Sequence, residues 1–373
     1  MPELAAPETF EPDWAVPPGA TIAAMLAVRS LSREGFAGAI GESVETVQRL
    51  MVGLEAVDDS LAERLSRCLG SSRAFWIARE AQYRADSERL RERREVDERI
   101  AWARQFPLRD MVSLGWIRDF RSPVAAADEC LKLFGVPDVA AWQARFGGTA
   151  AAVAFRMSGA VRKDPGAVSA WLRWAEIVAE RTPCASWNPD CFRERLQAAR
   201  RLSWKKDPAV FLPVLRQLCA EVGVAVVVAR TPKGCPASGA TRFLSQTKAM
   251  MVLSFRYRSD DQFWFTFFHE AGHLVLHGRD ALFLEGGEEV SPDEEREANE
   301  FAEATILPPG QSADLDHLPL DKDSILHFAR RVGVAPGLVV GQLQHRKRLA
   351  PEQLNGLKRR YDWAQIGADR LIP

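Results

Sequence analysis

The residues best suited to chemistry lie together, in Phe267-Phe268-His269-Glu270-Ala271-Gly272-His273-Leu274-Val275-Leu276-His277, which contains the pattern His-Glu-x-x-His. Two histidines four apart lie on one face of a helix, one turn from each other, so both rings reach a single tetrahedral zinc ion. Glu270, beside the first ligand, is placed to take a proton from a metal-bound water rather than to bind the metal itself. Zinc lowers the pKa of such a water from roughly 15.7 to about 7, which makes peptide-bond hydrolysis the natural outcome. Two histidines with one carboxylate also suit other divalent metals. The competing reading is a chance match on an ordinary surface helix. The flanking Phe263, Trp264, Phe265, Phe267, Phe268, Leu274 and Leu276 mark a buried helix instead, where histidines without partners are costly.

A catalytic site needs a third protein ligand and an open fourth position. His277 falls at the wrong interval for the extended metzincin motif, whose last position is Arg279 here. An acidic ligand on the next helix is the better candidate. Ser291 as N-cap, Pro292 at the first helical position and Glu294 three after the cap form a capping box, which occupies Glu294. The apolar face of that helix runs through Ala298, Phe301, Ala302, Thr305 and Ile306. At about 100° per residue Glu294 and Glu295 border this face while Glu297, Glu300 and Glu303 point away, so elimination leaves Glu295 as the ligand.

These residues resemble a known family. His269-Glu270-Ala271-Gly272-His273, then Glu295-Arg296-Glu297-Ala298-Asn299-Glu300-Phe301-Ala302, then Ile306-Leu307-Pro308, are similar to the two helices of the ImmA/IrrE family of bacterial metallo-endopeptidases. The segments Ser238 to Arg242 and Asp260 to Phe268 are similar to longer, HigA-like members that carry an N-terminal helix-turn-helix. The resemblance covers nearly everything from Pro17 to about Arg348 and places Glu295 at the ligand position. It implies a zinc peptidase that cuts a repressor or partner protein and so switches on stress, mobile-element or defence genes. Other members are known only as regulators or antitoxin-like proteins.

Two further side chains are candidates near such a centre. His345 is a candidate oxyanion stabiliser, although a histidine ending a basic helix is more often a surface residue. Cys235, in the Gly234-Cys235-Pro236 turn, is a candidate latent-state ligand, weighed against the inertness of most free cysteines.

Leu31 to Leu50 resembles an XRE-type helix-turn-helix, whose second helix, Ser43 to Met51, would enter the major groove with Thr46, Gln48 and Arg49 among its outward residues. Gln and Arg read adenine and guanine edges. The charge argues the other way: between Gly41 and Glu63 stand Glu42, Glu45, Glu55, Asp58, Asp59 and Glu63 against Arg49 alone. Phosphate neutralisation supplies nearly all non-specific DNA affinity, so a net of −5 points to protein docking or dimerisation unless Arg64, Arg67 or the following basic segment contributes.

The elements that must position these residues are mostly helical. The expected class is α+β, mostly α, with an N-terminal helix-turn-helix bundle, a helical middle region, and a zincin-like domain of a small sheet and the His-Glu-x-x-His helix. Residues 1–19 carry several prolines and no period, and read as a flexible tail. Residues 20–85 hold five short helices with Ser32, Ser43, Ser60 and Ser72 at N-caps and a capping box at Ser60 to Glu63. A charged connecting helix spans 86–105, a Trp- and Ala-rich helical domain 106–202, the zinc peptidase domain 203–310, and a C-terminal helical part 311–373. Trp171 and Trp174 read as core anchors. The runs Val224 to Ala229 and Ala249 to Phe255 read as strands.

Composition bounds the rest. The 373 residues carry 49 basic and 50 acidic side chains, which excludes a surface built wholly for nucleic acid. No apolar stretch reaches a membrane-spanning length and the start has no basic n-region, so a cytoplasmic chain with reduced cysteines is expected. Cys68, Cys130, Cys184, Cys191, Cys219 and Cys235 form no C-x-x-C pair. The readings that compete are a narrow-specificity zinc endopeptidase acting on a linked regulatory or effector protein, and a helix-turn-helix regulator or antitoxin with a non-catalytic metal site. A homodimer fits either.

Overall fold

The structure, a computed structural model, describes residues 12–156, 164–277, 283–284 and 292–367. The chain divides into two compact units at Arg99/Ile100.

The first unit is helical: α1 Pro18–Val28, α2 Arg33–Ile40, α3 Val44–Met51, α4 Asp59–Leu69 and most of α5, Arg73–Ala103. Short polar caps set the helix starts, since an N-cap oxygen satisfies an N–H that has no intrahelical partner. Ser32, Ser43 and Ser72 accept from the backbone N–H of Gly35, Thr46 and Phe75 at 3.0 to 3.1 Å. The cap of α4 differs from the expected one. Asp58 Oδ1 accepts from Leu61 N–H at 2.7 Å, and Ser60 lies inside the first turn with its hydroxyl on Arg64. Ile22, Phe36, Val47, Leu50, Leu65 and Trp76 fill the core between these helices. The charged segment expected as a separate connector is the continuation of α5, one 31-residue helix. Its Arg–Glu and Arg–Asp pairs three or four apart support such an exposed helix.

The second unit is a three-layer arrangement. Its helices before the sheet are α6 Leu108–Ser113, α7 Pro123–Phe134, α8 Val139–Arg156, α9 Pro165–Arg181, α10 Pro189–Leu202 and α11 Pro208–Ala220. The strands β1 Val224–Val228, β2 Gly239–Ser245, β3 Lys248–Leu253 and β4 Phe283–Leu284 lie in the order β1-β3-β2-β4. β1 runs parallel to β3 and the other pairs are antiparallel, with Val226 opposite Met251 and Thr241 opposite Met251 on the other side. The helices α12 Asp260–Leu276, α13 Pro292–Ile306, α14 Pro309–Asp316, α15 Lys322–Val332, α16 Pro336–His345 and α17 Trp363–Ile366 complete the unit.

Side chains alternate across a strand, and here both faces are covered. Val224, Val226, Val228, Met251 and Leu253 pack with α10 to α13, α15 and α16, whereas Ala225, Val227, Ala229, Met250 and Val252 pack with Trp171 and Trp174 of α9 and the helices before it. A sheet buried on both sides reads as continuous apolar runs, which is the pattern of β1 and β3. The helical middle region is therefore one layer of the same unit as the sheet, because it covers a face that would otherwise be wet. Among the described residues no helix is long and apolar enough to cross a membrane.

Candidate metal centre

The burial of α12 follows from its composition: aromatic residues occur on every side, so it sinks between the sheet and the later helices. His269, Glu270 and His273 are consequently almost wholly buried. The two imidazoles project one turn apart, with Nε2 of each 3.0 Å from the other. Glu295 of α13 brings its carboxylate oxygens to 3.4 Å from His269 Nε2 and 3.7 Å from His273 Nε2. Among the described residues His269, His273 and Glu295 are the group whose ligand atoms converge in this way.

Close helix contact makes that convergence available. Gly272 faces Ala298 of α13, and a Cβ at Gly272 would come within 3.1 Å of the Ala298 Cα and 3.2 Å of the Phe301 ring. With no side chain at Gly272 the two helices approach at the level of the histidines, and Glu295, one turn before Ala298, is carried to them.

The outer nitrogens of both rings are engaged. His269 Nδ1 lies 3.0 Å from Asn299 Oδ1, so the amide oxygen takes the Nδ1 proton and leaves a lone pair on Nε2. His273 Nδ1 lies 3.0 Å from His277 Nδ1, and His277 Nε2 lies 3.1 Å from Glu297 Oε2. The carboxylate fixes the direction of this relay: His277 donates from Nε2 to Glu297 and accepts at Nδ1 from His273, whose Nε2 is again left with its lone pair. Burial, reinforced by the neighbouring His269 and His277, holds the His273 pKa down at about 3, so the ring is neutral at physiological pH.

The donor set fits a small divalent ion. Two lone pairs and a carboxylate face one point, and a tetrahedral ion with bonds of roughly 2.0–2.2 Å spaces its ligands about 3.3 Å apart, close to the separations seen. Electrostatics agree: the Glu295 side chain stands beside the neutral His273 ring, and a cation at their meeting point offsets the cost of burying these polar groups.

Glu270 is held apart from this set, against β2. A Cβ at Gly239 would come within 2.6 Å of Glu270 Oε1 and 2.7 Å of Thr266 Cγ2, so the bare backbone of β2 leaves the space that the Glu270 carboxylate fills.

The other expected side chains lie elsewhere. His345 is exposed, with Nε2 3.3 Å from Glu303 Oε1, and is separated from the histidine pair by the Phe265 ring, whose centroid is 6.2 Å from that of His269 and 6.5 Å from that of His345. Cys235 is buried in the core on the opposite face of the sheet, among residues of the middle helices. Burial pushes its thiol up to about 12, which disfavours the thiolate that a latent-state ligand needs. The latent-state role expected of Cys235 is thereby corrected, whereas His345 stays one aromatic ring away from His269. Of the residues expected on the exposed face of α3, Gln48 and Arg49 are exposed and Thr46 is half-buried, its hydroxyl 2.9 Å from Ser43 Oγ. Arg49 is paired with Glu55 at 3.2 Å, Arg67 with Glu63 at 3.0 Å, and Arg64 with Glu42.

Asn299, Glu297, Gly239 and Gly272, and His277 as the partner of His273, lie against the centre in places that sequence reasoning did not assign. Helical spacing gives a signal for two of them: Asn299 is four after Glu295 and His277 four after His273. The glycines carry no periodic signal. Ser291, the expected cap of α13, lies outside the described residues, and α13 opens at Pro292.

No curated protein matches the chain. Residues 221–343, which run from just before β1 into α16 and include all three converging ligands and Glu270, match the peptidase M78 family model, described as the IrrE N-terminal-like domain, and this supports the resemblance to the ImmA/IrrE metallopeptidases.

Proposed function

We propose that the chain is a zinc-dependent endopeptidase of narrow specificity that cleaves a regulatory or effector protein partner, in a stress, toxin-antitoxin or phage-defence type of system. The observation that carries this reading is Glu270. A purely structural metal site has no use for a fully buried carboxylate next to its first ligand, lodged in a space that a glycine of β2 leaves open. His269, His273 and Glu295 would hold the ion; when bound, it polarises the scissile carbonyl and makes water nucleophilic near neutral pH. Glu270 takes a proton from the attacking water and returns it to the leaving amine. Asn299, and His277 with Glu297, keep the ligand rings turned with Nε2 inward.

The regulator reading is weaker, because the arginines that would meet DNA phosphates are already paired with glutamates. The bundle of α1 to α4 is better suited to protein docking or to pairing of two copies. The test is to co-express the chain with its genetic neighbours and follow them by mass spectrometry. Wild type should cut one neighbour, and Glu270→Gln should lower that rate by about 10²-fold or more while keeping the metal. Undiminished cutting by the mutant refutes the mechanism.

A further inference from the structure

Beside the metal centre, beyond the Phe265 ring, lies a cavity of about 200 Å³. Phe265, Ile306 and Leu338 make apolar walls, Asp261 and Gln342 line it from within the protein, and His345 stands at its exposed rim. Asp261 is 4% and Gln342 3% exposed. Asp261 Oδ1 and Gln342 Oε1 are buried and accept no hydrogen bond among the described residues. Lys358 approaches Asp261 on its other oxygen, Oδ2, at 2.6 Å, and that ammonium also bonds Gln344 Oε1. On α16, a Cβ at Gly341 would lie 3.1 Å from Asp261 Cβ, so a glycine there makes room for the aspartate.

Buried acceptors without donors are rare, and each asks what donor arrives. The walls suit an aliphatic stem, and the two residues that carry these acceptors line the cavity, with Glu303 adding negative charge beside His345. Arginine and lysine combine such a stem with a tip that only donates. Because one ring separates the cavity from His269, a side chain lodged there belongs to a residue next to the bond being cut. The geometry points to this cavity as a specificity pocket for a basic substrate residue, with Asp261 and Gln342 as its recognition groups; the assignment of the occupant to a substrate rests on the peptidase reading above.

The direct test is calorimetric titration of the full chain with Nα-acetyl-argininamide and Nα-acetyl-norleucinamide, with and without zinc. Wild type should bind the arginine probe at least tenfold more tightly than its apolar counterpart. Gln342→Leu, which keeps the size and removes the acceptor, should cut that preference below threefold. Gln342→Glu should raise it several-fold, a gain that misfolding cannot mimic. Equal binding of the two probes by wild type, or a preference that neither substitution moves, overturns the pocket. Mapping cut sites separates the two proposals: arginine binding without any proteolysis refutes the peptidase and leaves the pocket standing, whereas proteolysis at non-basic sites refutes the pocket alone.

Discussion

Asn299 Oδ1 accepts the Nδ1 proton of His269, and replacing that amide with a methyl frees the ring to turn or to change tautomer. Asn299→Ala should therefore weaken metal binding about 10- to 100-fold in competition with a chromophoric chelator, with little change in melting temperature of the metal-free chain. A second prediction concerns Asp260, whose carboxyl burial raises from 3.8 to about 6, against the hydrogen bond from the Arg359 N–H and with Asp261 adding to the rise. Between pH about 4 and about 6 the folded chain keeps a proton that the unfolded chain has lost. This group's contribution to stability then falls as pH rises across that window and is level above it. Asp260→Asn preserves an oxygen for the N–H groups of Arg359 and Asp261, and melts across the window should show a flatter slope than wild type. At this scale the histidines and Glu270 were legible because the pattern is local. Glu295 was legible because a helix has one apolar face. The relay from His273 through His277 to Glu297 was not, since it joins two helices whose facing no single-helix argument supplies.

Elements explain why the site is in register. α12 and α13 touch through Gly272 and Ala298, and β2 touches α12 through Gly239, so two glycines, which carry no functional group, set the positions of Glu295 and Glu270. Gly239→Ala should displace the Glu270 carboxylate, with cleavage falling about 10- to 100-fold at nearly unchanged metal affinity; an equal loss of metal would show that β2 supports the ligands instead. Strands and helices were readable from period, but their joins were less so. Ser60 matches a cap pattern, yet Asp58 takes the role because it lies in the extended residue just before the helix. The run of arginines and glutamates after Ser87 reads as a connecting helix of its own, while in the fold α5 begins earlier, at Arg73, and passes through it without a break, since nothing in that run stops a helix.

At the scale of the whole chain, the two units have separate cores, and among the described residues no side chain belongs to both the α1–α4 core and those of the sheet. Leu65→Ala should remove about 2–5 kcal/mol from the first unit, while the metal affinity of the second stays as in wild type; calorimetry with chelator competition checks both. The middle helices were not legible as part of the second unit, because the need to cover the far face of a sheet appears only once its two-sided burial is seen. The crossing of α12 and α13 has a consequence for which ions the molecule refuses. Two imidazoles and one carboxylate stand 3.0 to 3.7 Å apart where the two helices meet. Calcium asks for about six to eight oxygens at roughly 2.3–2.6 Å, and magnesium for a near-octahedral oxygen shell. Two nitrogens and one carboxylate are the wrong donors for both, so the same side chains that suit zinc disfavour the abundant hard cations.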